Sequence, residues 1–281
     1  MKKTRLGLCS FFLFLLFNLL YISCIDRNEP LERLDLFFLE TQAEADCIVI
    51  QRDRYAVIID AGELSDNRRI VDFLRERNIE VISNLILSFP DPDHTAAALT
   101  LLNEFKVERV IMPHFPKPSE NFEHIYTIAQ EKKIPLYRPI RRRYISFFRL
   151  SLVLYPPREG YYNRDNNYSL AVLGIYGKNR MLFTGDAVGK RVRELMDIEW
   201  SRIDLLKIPY HGKSGRSSAD FIRKLKARYG VVFADRSDSL ILEACEYAGT
   251  KIFHTGAGDW HFISNGQVLL PADEVQDGIL N

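Results

Sequence analysis

The strongest constraint on what this chain can fold into is a pattern that occurs twice: short β-branched and aromatic runs, then stretches with helical spacing. Leu34 to Thr41, Asp46 to Gln51 and Tyr55 to Ile59 read as an opening meander, because charged residues separate short apolar runs. Asn67 to Asn78 then spaces Ile70, Val71, Phe73 and Leu74 among charges as a helix does. Asn84 to Ser88 is a buried strand, Thr95 to Phe105 a helix, Val107 to Met112 a strand and Ser119 to Lys132 a helix. The second half repeats this order. Strands are expected over Ile145 to Leu154, Ser169 to Tyr176 and Met181 to Thr184. Next come a strand over Ile203 to Ile208, a helix over Ser217 to Tyr229, a strand over Val231 to Ala234 and a helix over Leu240 to Tyr247. Lys251 to His254 and His261 to Ser264 close the chain. Two such halves predict an α/β protein whose sheets pack face to face with helices outside, a four-layer αββα sandwich. No Pro/Gly/Ser linker divides it, and Pro156 to Asn167 is read as an inserted loop.

Lys and Arg number 38 against 37 Asp and Glu, which argues against a broad basic surface for duplex DNA. A local patch remains. Arg138, Arg141, Arg142, Arg143 and Arg149 interleave with Tyr144, Phe147 and Phe148, the combination that single-stranded nucleic acid binders use. The plainer reading is a solvated loop before a strand whose aromatics face the core. Of four cysteines, only Cys47 and Cys245 fall in the folded body, so no disulfide framework is expected.

Lys2, Lys3 and Arg5 precede an uncharged run from Leu6 to Ile25, the pattern of an export signal. Its length of about 20 residues also suits a membrane span. A lipoprotein signal, an ordinary cleaved signal and an uncleaved anchor therefore stay open, and each exports the body. Leu20-Tyr21-Ile22-Ser23-Cys24 resembles a bacterial lipobox, although Tyr21 stands where Leu, Val or Ile is usual. On that reading residues 1–23 are a signal, Cys24 is the lipid attachment site, 24–33 form a tether and 34–281 a single domain. The body would then sit outside the cytoplasm, tied to a membrane.

The chemistry gathers at strand ends. After Leu85-Ile86-Leu87-Ser88 comes Phe89-Pro90-Asp91-Pro92-Asp93-His94, whose prolines stiffen the turn and disfavour helix before His94. Met181 to Phe183 leads into Thr184-Gly185-Asp186, and Leu205 to Ile208 leads into Pro209-Tyr210-His211-Gly212. Asp and His in one turn also suit an ordinary helix cap. Lys207, Lys213 and Ser217 flank His211 as candidates to hold an anionic group of a substrate near a helix start.

These strand ends, in this order, resemble the metallo-β-lactamase superfamily, and their flanks resemble its ComEC-like competence hydrolase branch. The opening Phe38 to Ile50 and Ile58-Ile59-Asp60-Ala61-Gly62 fit that branch's first strands, with Asp46 and Asp60 at matching places. Asn166-Asn167-Tyr168-Ser169, Thr184-Gly185-Asp186-Ala187 and Tyr210-His211-Gly212 match its later turns, and His254-Thr255 with Ser264-Asn265-Gly266 its closing hairpin. The resemblance covers most of residues 34–281.

The departures are specific. The branch has His-x-Asp-x-Asp-His where this chain has Phe89 in the first His position, and its paired His before Gly is Tyr210-His211 here. His114 is the one substitute in reach for a further ligand, and an exposed or structural histidine is its plainer reading. Carried over by resemblance, Asp93, His94 and His211 correspond to ligands of the second metal position, and Asp186 to the carboxylate that bridges two metals. Asp91 would orient or deprotonate water, and Asp93 joins it as a catalytic candidate besides being a ligand. The implied cofactor is one divalent metal, Zn or Mn, with no ion as the alternative. The implied activity is an exported hydrolase, lipid-anchored, acting on a phosphodiester or related ester, whether a small molecule or a polyanionic substrate. A non-catalytic relative serving as a binding lipoprotein and a nucleic-acid-binding accessory of DNA uptake or processing are the competing expectations.

Overall fold

The computed structural model describes residues 31–213 and 215–275, except for the side chain of residue 43. The expected signal over 1–23 and the lipid site at Cys24 lie outside the described residues. The chain divides at Leu31/Glu32, and the architecture below belongs to the unit beginning at Glu32. Among the described residues no helix is long and apolar enough to cross a membrane.

The first half runs β1 (Leu34–Phe38), β2 (Cys47–Arg52), β3 (Tyr55–Ala61), α1 (Asn67–Glu76) and β4 (Val81–Ile86). It continues through α2 (Pro92–Thr95), α3 (Ala98–Glu104), β5 (Lys106–Val107), β6 (Val110–Ile111), α4 (Glu120–Glu131) and β7 (Leu136–Tyr137). The second half runs β8 (Arg143–Phe147), β9 (Leu150–Tyr155), β10 (Ala171–Tyr176), β11 (Asn179–Phe183), α5 (Gly189–Met196) and β12 (Leu205–Lys207). Then follow α6 (Arg216–Leu225), β13 (Tyr229–Val232), α7 (Ser239–Ala248), β14 (Lys251–His254), β15 (Trp260–Ser264) and β16 (Leu269–Pro271). One sheet has the order β16-β15-β1-β2-β3-β4-β6-β7 with β5 also on β4, and the other β14-β13-β12-β11-β10-β9-β8. The closing strand β15 crosses back to pair antiparallel with β1, so the last strands complete the first sheet.

Strand periodicity sorts the side chains into layers. Phe37, Val49, Ala56 and Ile58 face α1, packing with Ile70, Val71 and Leu74. Leu173, Leu182, Leu206 and Val232 do the same for the second sheet, against Val192, Phe221, Ile222 and Ile241. The intervening Phe38 turns the other way, its ring 6.4 Å from Phe183 and 6.1 Å from Phe233 of the opposite sheet. That is the αββα sandwich.

The structure differs from the sequence expectation at several places: β7 and β16 had no expected counterpart, and Val107 to Met112 is two short strands, β5 and β6. The apolar run Ile145 to Leu154 is a hairpin, β8 and β9, turning at Phe148 and Arg149 with Phe147 opposite Leu150. Phe148 sits at φ 50, a position that usually calls for glycine, so no turn residue signalled it. The helix expected over Ser217 to Tyr229 stops at Leu225, where Lys226 takes a left-handed cap at φ 47. Helix α5 had no expected counterpart.

A candidate metal centre between the two sheets

In both sheets the parallel strands end on the same side, and their loops carry the polar groups, as open α/β sheets generally arrange them. The loop after β4 places Asp91 just before α2, with Pro92 at its first position, where a missing N–H costs nothing. His94 then lies in that short helix, fully buried. Asp60, at the end of β3, accepts hydrogen bonds from the Ser88 backbone N–H (2.6 Å) and Ser88 Oγ (2.7 Å), and its Oδ2 lies 3.1 Å from His94 Nδ1. From the second sheet, Gly185 bends the chain after β11 at φ 52. A Cβ there would stand 2.4 Å from Ser88 Oγ, so only glycine lets the two loops approach. His211, after β12, is itself left-handed at φ 50.

These loops bring four predicted residues together. Asp93, His94, Asp186 and His211 each offer a ligand atom within 4.8 Å of the others. His211 Nε2 lies 3.2 Å from Asp186 Oδ2 and 3.5 Å from Asp93 Oδ2. His94 Nε2 lies 3.5 Å from Asp186 Oδ1 and 3.8 Å from Asp93 Oδ2. Each imidazole has its other nitrogen against an acceptor: Asp60 for His94, and the Phe233 carbonyl at 3.2 Å for His211. A neutral ring so held keeps its proton on Nδ1 and aims the Nε2 lone pair inward, the arrangement typical of metal-ligating histidines.

The donor set fits a divalent cation. His94 Nε2 and Asp46 Oδ1 make no hydrogen bond, although both atoms are buried. Such groups are rarely left unpaired without an ion or water to satisfy them. The metal-free electrostatics show the same strain. Burial pulls the His211 imidazolium down, but hydrogen bonds to Asp186 and Asp93 outweigh it and hold its pKa at about 9. Burial acts likewise on His94, and the charges of Asp60, Asp186 and Asp46 raise it well above the usual imidazole value. Burial would raise Asp186, yet His94 and Lys207 keep it well below the usual carboxylate range.

The other predicted residues are placed differently. Asp91 is exposed and outside the cluster, lining a cleft of about 350 Å³ with Phe115, Lys117 and Asp165. Partial shielding of its carboxyl from water at the cleft and the charge of Asp93 raise its pKa. Phe89 is fully buried in an aromatic wall with Tyr162, Tyr168 and Phe115, its ring edge-on to His94 at 6.0 Å. His114 is exposed. Lys213 is half exposed with Glu44 3.6 Å away, and Ser217 sits in the first turn of α6.

Lys207 departs most from the expectation that it meets an anionic substrate. It is 1% exposed, and its ammonium lies 2.5 Å from Asp46 Oδ2, 2.9 Å from the Gly185 carbonyl and 3.4 Å from Asp186 Oδ1. Asp46 lies on the same inner side, its backbone N–H bonded to the Asp93 carbonyl at 3.0 Å. The sequence reading gave Asp46 and Asp60 no role in the site. A lysine flanked by Leu205, Leu206 and Ile208 was the available signal, since a charge inside an apolar strand must find a buried partner.

The pattern of the metallo-beta-lactamase superfamily matches residues 41–235. ComE operon protein 3 of Bacillus subtilis is 23% identical over 249 residues, 83% of this chain and 31% of that protein. Recombination protein 2 of Haemophilus influenzae is 25% identical over 167 residues, 59% of this chain and 19% of that protein. The chain thus spans a third or less of the length of either relative. Among solved structures, the metallo-beta-lactamase fold protein YhfI from Bacillus subtilis superposes with a TM-score of 0.54 at 11% identity, covering 81% of this chain and 99% of its own.

Proposed function

Because the chain belongs to the metallo-beta-lactamase superfamily, we propose that its buried Asp and His cluster serves a hydrolase acting on a phosphodiester or related ester, with a single divalent ion, Zn or Mn. The observation that carries this reading is the convergence of the Nε2 atoms of His94 and His211 on Asp93 and Asp186. Phe89 favours one ion over two, because a phenyl ring supplies no ligand where the resembled motif has its first histidine. Mixed nitrogen and oxygen donors suit Zn or Mn.

When bound, such an ion supplies Lewis acidity to water and to the ester oxygen. The protein's own groups do the rest. Asp60 and the Phe233 carbonyl fix the two imidazoles, and Asn166 Nδ2, 3.3 Å from Asp186 Oδ2, steadies the shared carboxylate. Asp91, at the cleft and with a raised pKa, is suited to accept a proton from attacking water. Lys213 and Ser217 stand nearer the surface as anion-holding groups. The N-terminal run and Cys24 would export this body and tie it to a membrane by a lipid.

A second reading, a non-catalytic binding protein on the same fold, is favoured by Phe89 and by the buried Lys207 ammonium, which already partly neutralises Asp46 and Asp186. Metal analysis separates the two. The hydrolase reading expects about one equivalent per chain, lost in Asp93→Ala and His211→Ala with the fold kept, and hydrolysis of an aryl phosphodiester that chelator abolishes. Asp60→Asn should weaken metal affinity about 10- to 100-fold through the histidine that it orients. Phe89→His should admit a second equivalent. Absence of stoichiometric metal, with a melting temperature indifferent to chelator, would sink the hydrolase and leave the binding protein.

A further inference from the structure

The edge strands of the two sheets, β7 and β8, border a cleft of about 580 Å³ that none of the groups at the metal centre lines. Tyr137 stands on β7 and Tyr144 on β8, and both stay exposed, at 53% and 66%. Arg109, Arg138 and Arg143 line the same cleft, and no carboxylate does. The wider sequence explains the charge. From Lys132 to Arg158 there are eight basic residues and no Asp or Glu, although Lys and Arg number 38 against 37 Asp and Glu over the whole chain. None of Arg138, Arg141, Arg142 and Arg143 is ion-paired with a carboxylate among the described residues, whereas surface arginines elsewhere such as Arg33, Arg54, Arg75 and Arg202 are. Guanidinium groups lie instead over aromatic rings: Arg109 at 5.4 Å from Tyr137 and Arg142 at 5.6 Å from Tyr144.

We infer that this cleft binds a nucleotide, a planar base stacked on Tyr137 or Tyr144 with its phosphate among Arg109, Arg138 and Arg143. Aromatic faces in a basic groove are the chemistry by which bases and their phosphates are held together without sequence preference. A simple anion would need no tyrosines. A second hollow of about 380 Å³ shares Arg109 and Ser146 with the first and runs on towards Phe148, so there is room for a chain of nucleotides as well as a free one. The hydrolase reading is not needed for this site, and the test is arranged to keep the two apart.

The full chain is titrated with AMP and with a twelve-residue oligodeoxyadenylate, in the presence of chelator so that nothing is hydrolysed. Saturable binding of AMP identifies a free-nucleotide site, and binding of the oligomer alone identifies a strand site. Either result supports the inference if Tyr137→Ala or Tyr144→Ala weakens binding about tenfold, and absence of an effect in both variants overturns it. Arg143→Gln should lower the salt dependence of oligomer binding by about one unit of log–log slope. Both tyrosines are exposed, so unchanged melting temperatures show that the fold is intact. The inference is overturned if neither probe binds or if an abasic oligomer of equal length binds as tightly. A preference for short-chain phosphatidylserine over the oligomer also overturns it, since the patch would then be a lipid-facing one.

Discussion

Lys207 carries a charge in a place where an isolated ammonium would not stay ionised. Burial lowers its pKa, but Asp46 and Asp186 outweigh that and raise it, so it remains a cation. Asp46 is equally dependent on Lys207, the nearest cation to its buried carboxylate and the first of the groups that offset its burial. Removing one partner of a buried pair strands the other, at a cost of about 3–5 kcal/mol. Lys207→Met should therefore destabilise by about that amount in denaturant unfolding, and the double variant Lys207→Met with Asp46→Asn should recover a large part of it. If the double variant is as unstable as the single one, the pair is not what holds this region. The residue scale is also where the sequence was least readable. His94, His211, Asp93 and Asp186 stood out because they end strands beside turn residues, whereas Lys207 looked like a surface neighbour of His211 until the inward register of β12 was known.

At the scale of elements, helix α5 and the loop from Pro156 to Asn167 form one device. Arg191, 1% exposed on α5, donates from Nε to the Ser169 carbonyl (2.9 Å), from Nη1 to Glu194 Oε2 (2.8 Å) and from Nη2 to the Tyr155 carbonyl. Glu194 in turn accepts from Tyr162 OH at 2.5 Å, in the middle of the loop. The loop leads into Asn166, which touches Asp186, so its anchoring bears on the centre. Arg191→Leu should release the loop, seen as faster protease cleavage between residues 156 and 167, with the remaining body protected; unchanged cleavage would refute the anchor. The strands were legible because β-branched runs alternate cleanly with charges. Helix α5 was not, since Gly189-Lys190-Arg191 opens it with no N-cap side chain, and the β8–β9 turn was hidden because Phe148 adopts a glycine-like φ inside an apolar run.

On the scale of the whole molecule, the raised histidines make stability depend on pH in a definite direction. In the metal-free chain, His211 has a pKa of about 9 against 6.5 for the ordinary group, and His94 is raised too. Their contribution is fully present below about pH 6.5 and is lost as pH rises through about 9. An ion competes with those same protons, so its binding strengthens over the same interval. With chelator, melting temperature should fall from pH 6.5 to 9. With saturating Zn it should fall less, and ion at a hundredfold excess over its dissociation constant should add about 2.7 kcal/mol. Parallel curves with and without the ion would contradict the ligand role of both histidines. The two-halves pattern was readable at this scale because each half repeats strands and helices in the same order; the return of β15 to β1 was not, since antiparallel pairing across more than two hundred residues leaves no local mark.

That repetition bears on how the centre came to be where it is. Asp93 and His94 follow a strand of one sheet, while Asp186 and His211 follow strands of the other. The four-residue set is complete only when both sheets contribute. An ion held there would work as a rivet through the seam, and extracting it would slacken the joint between the two layers while leaving each layer's own weave untouched.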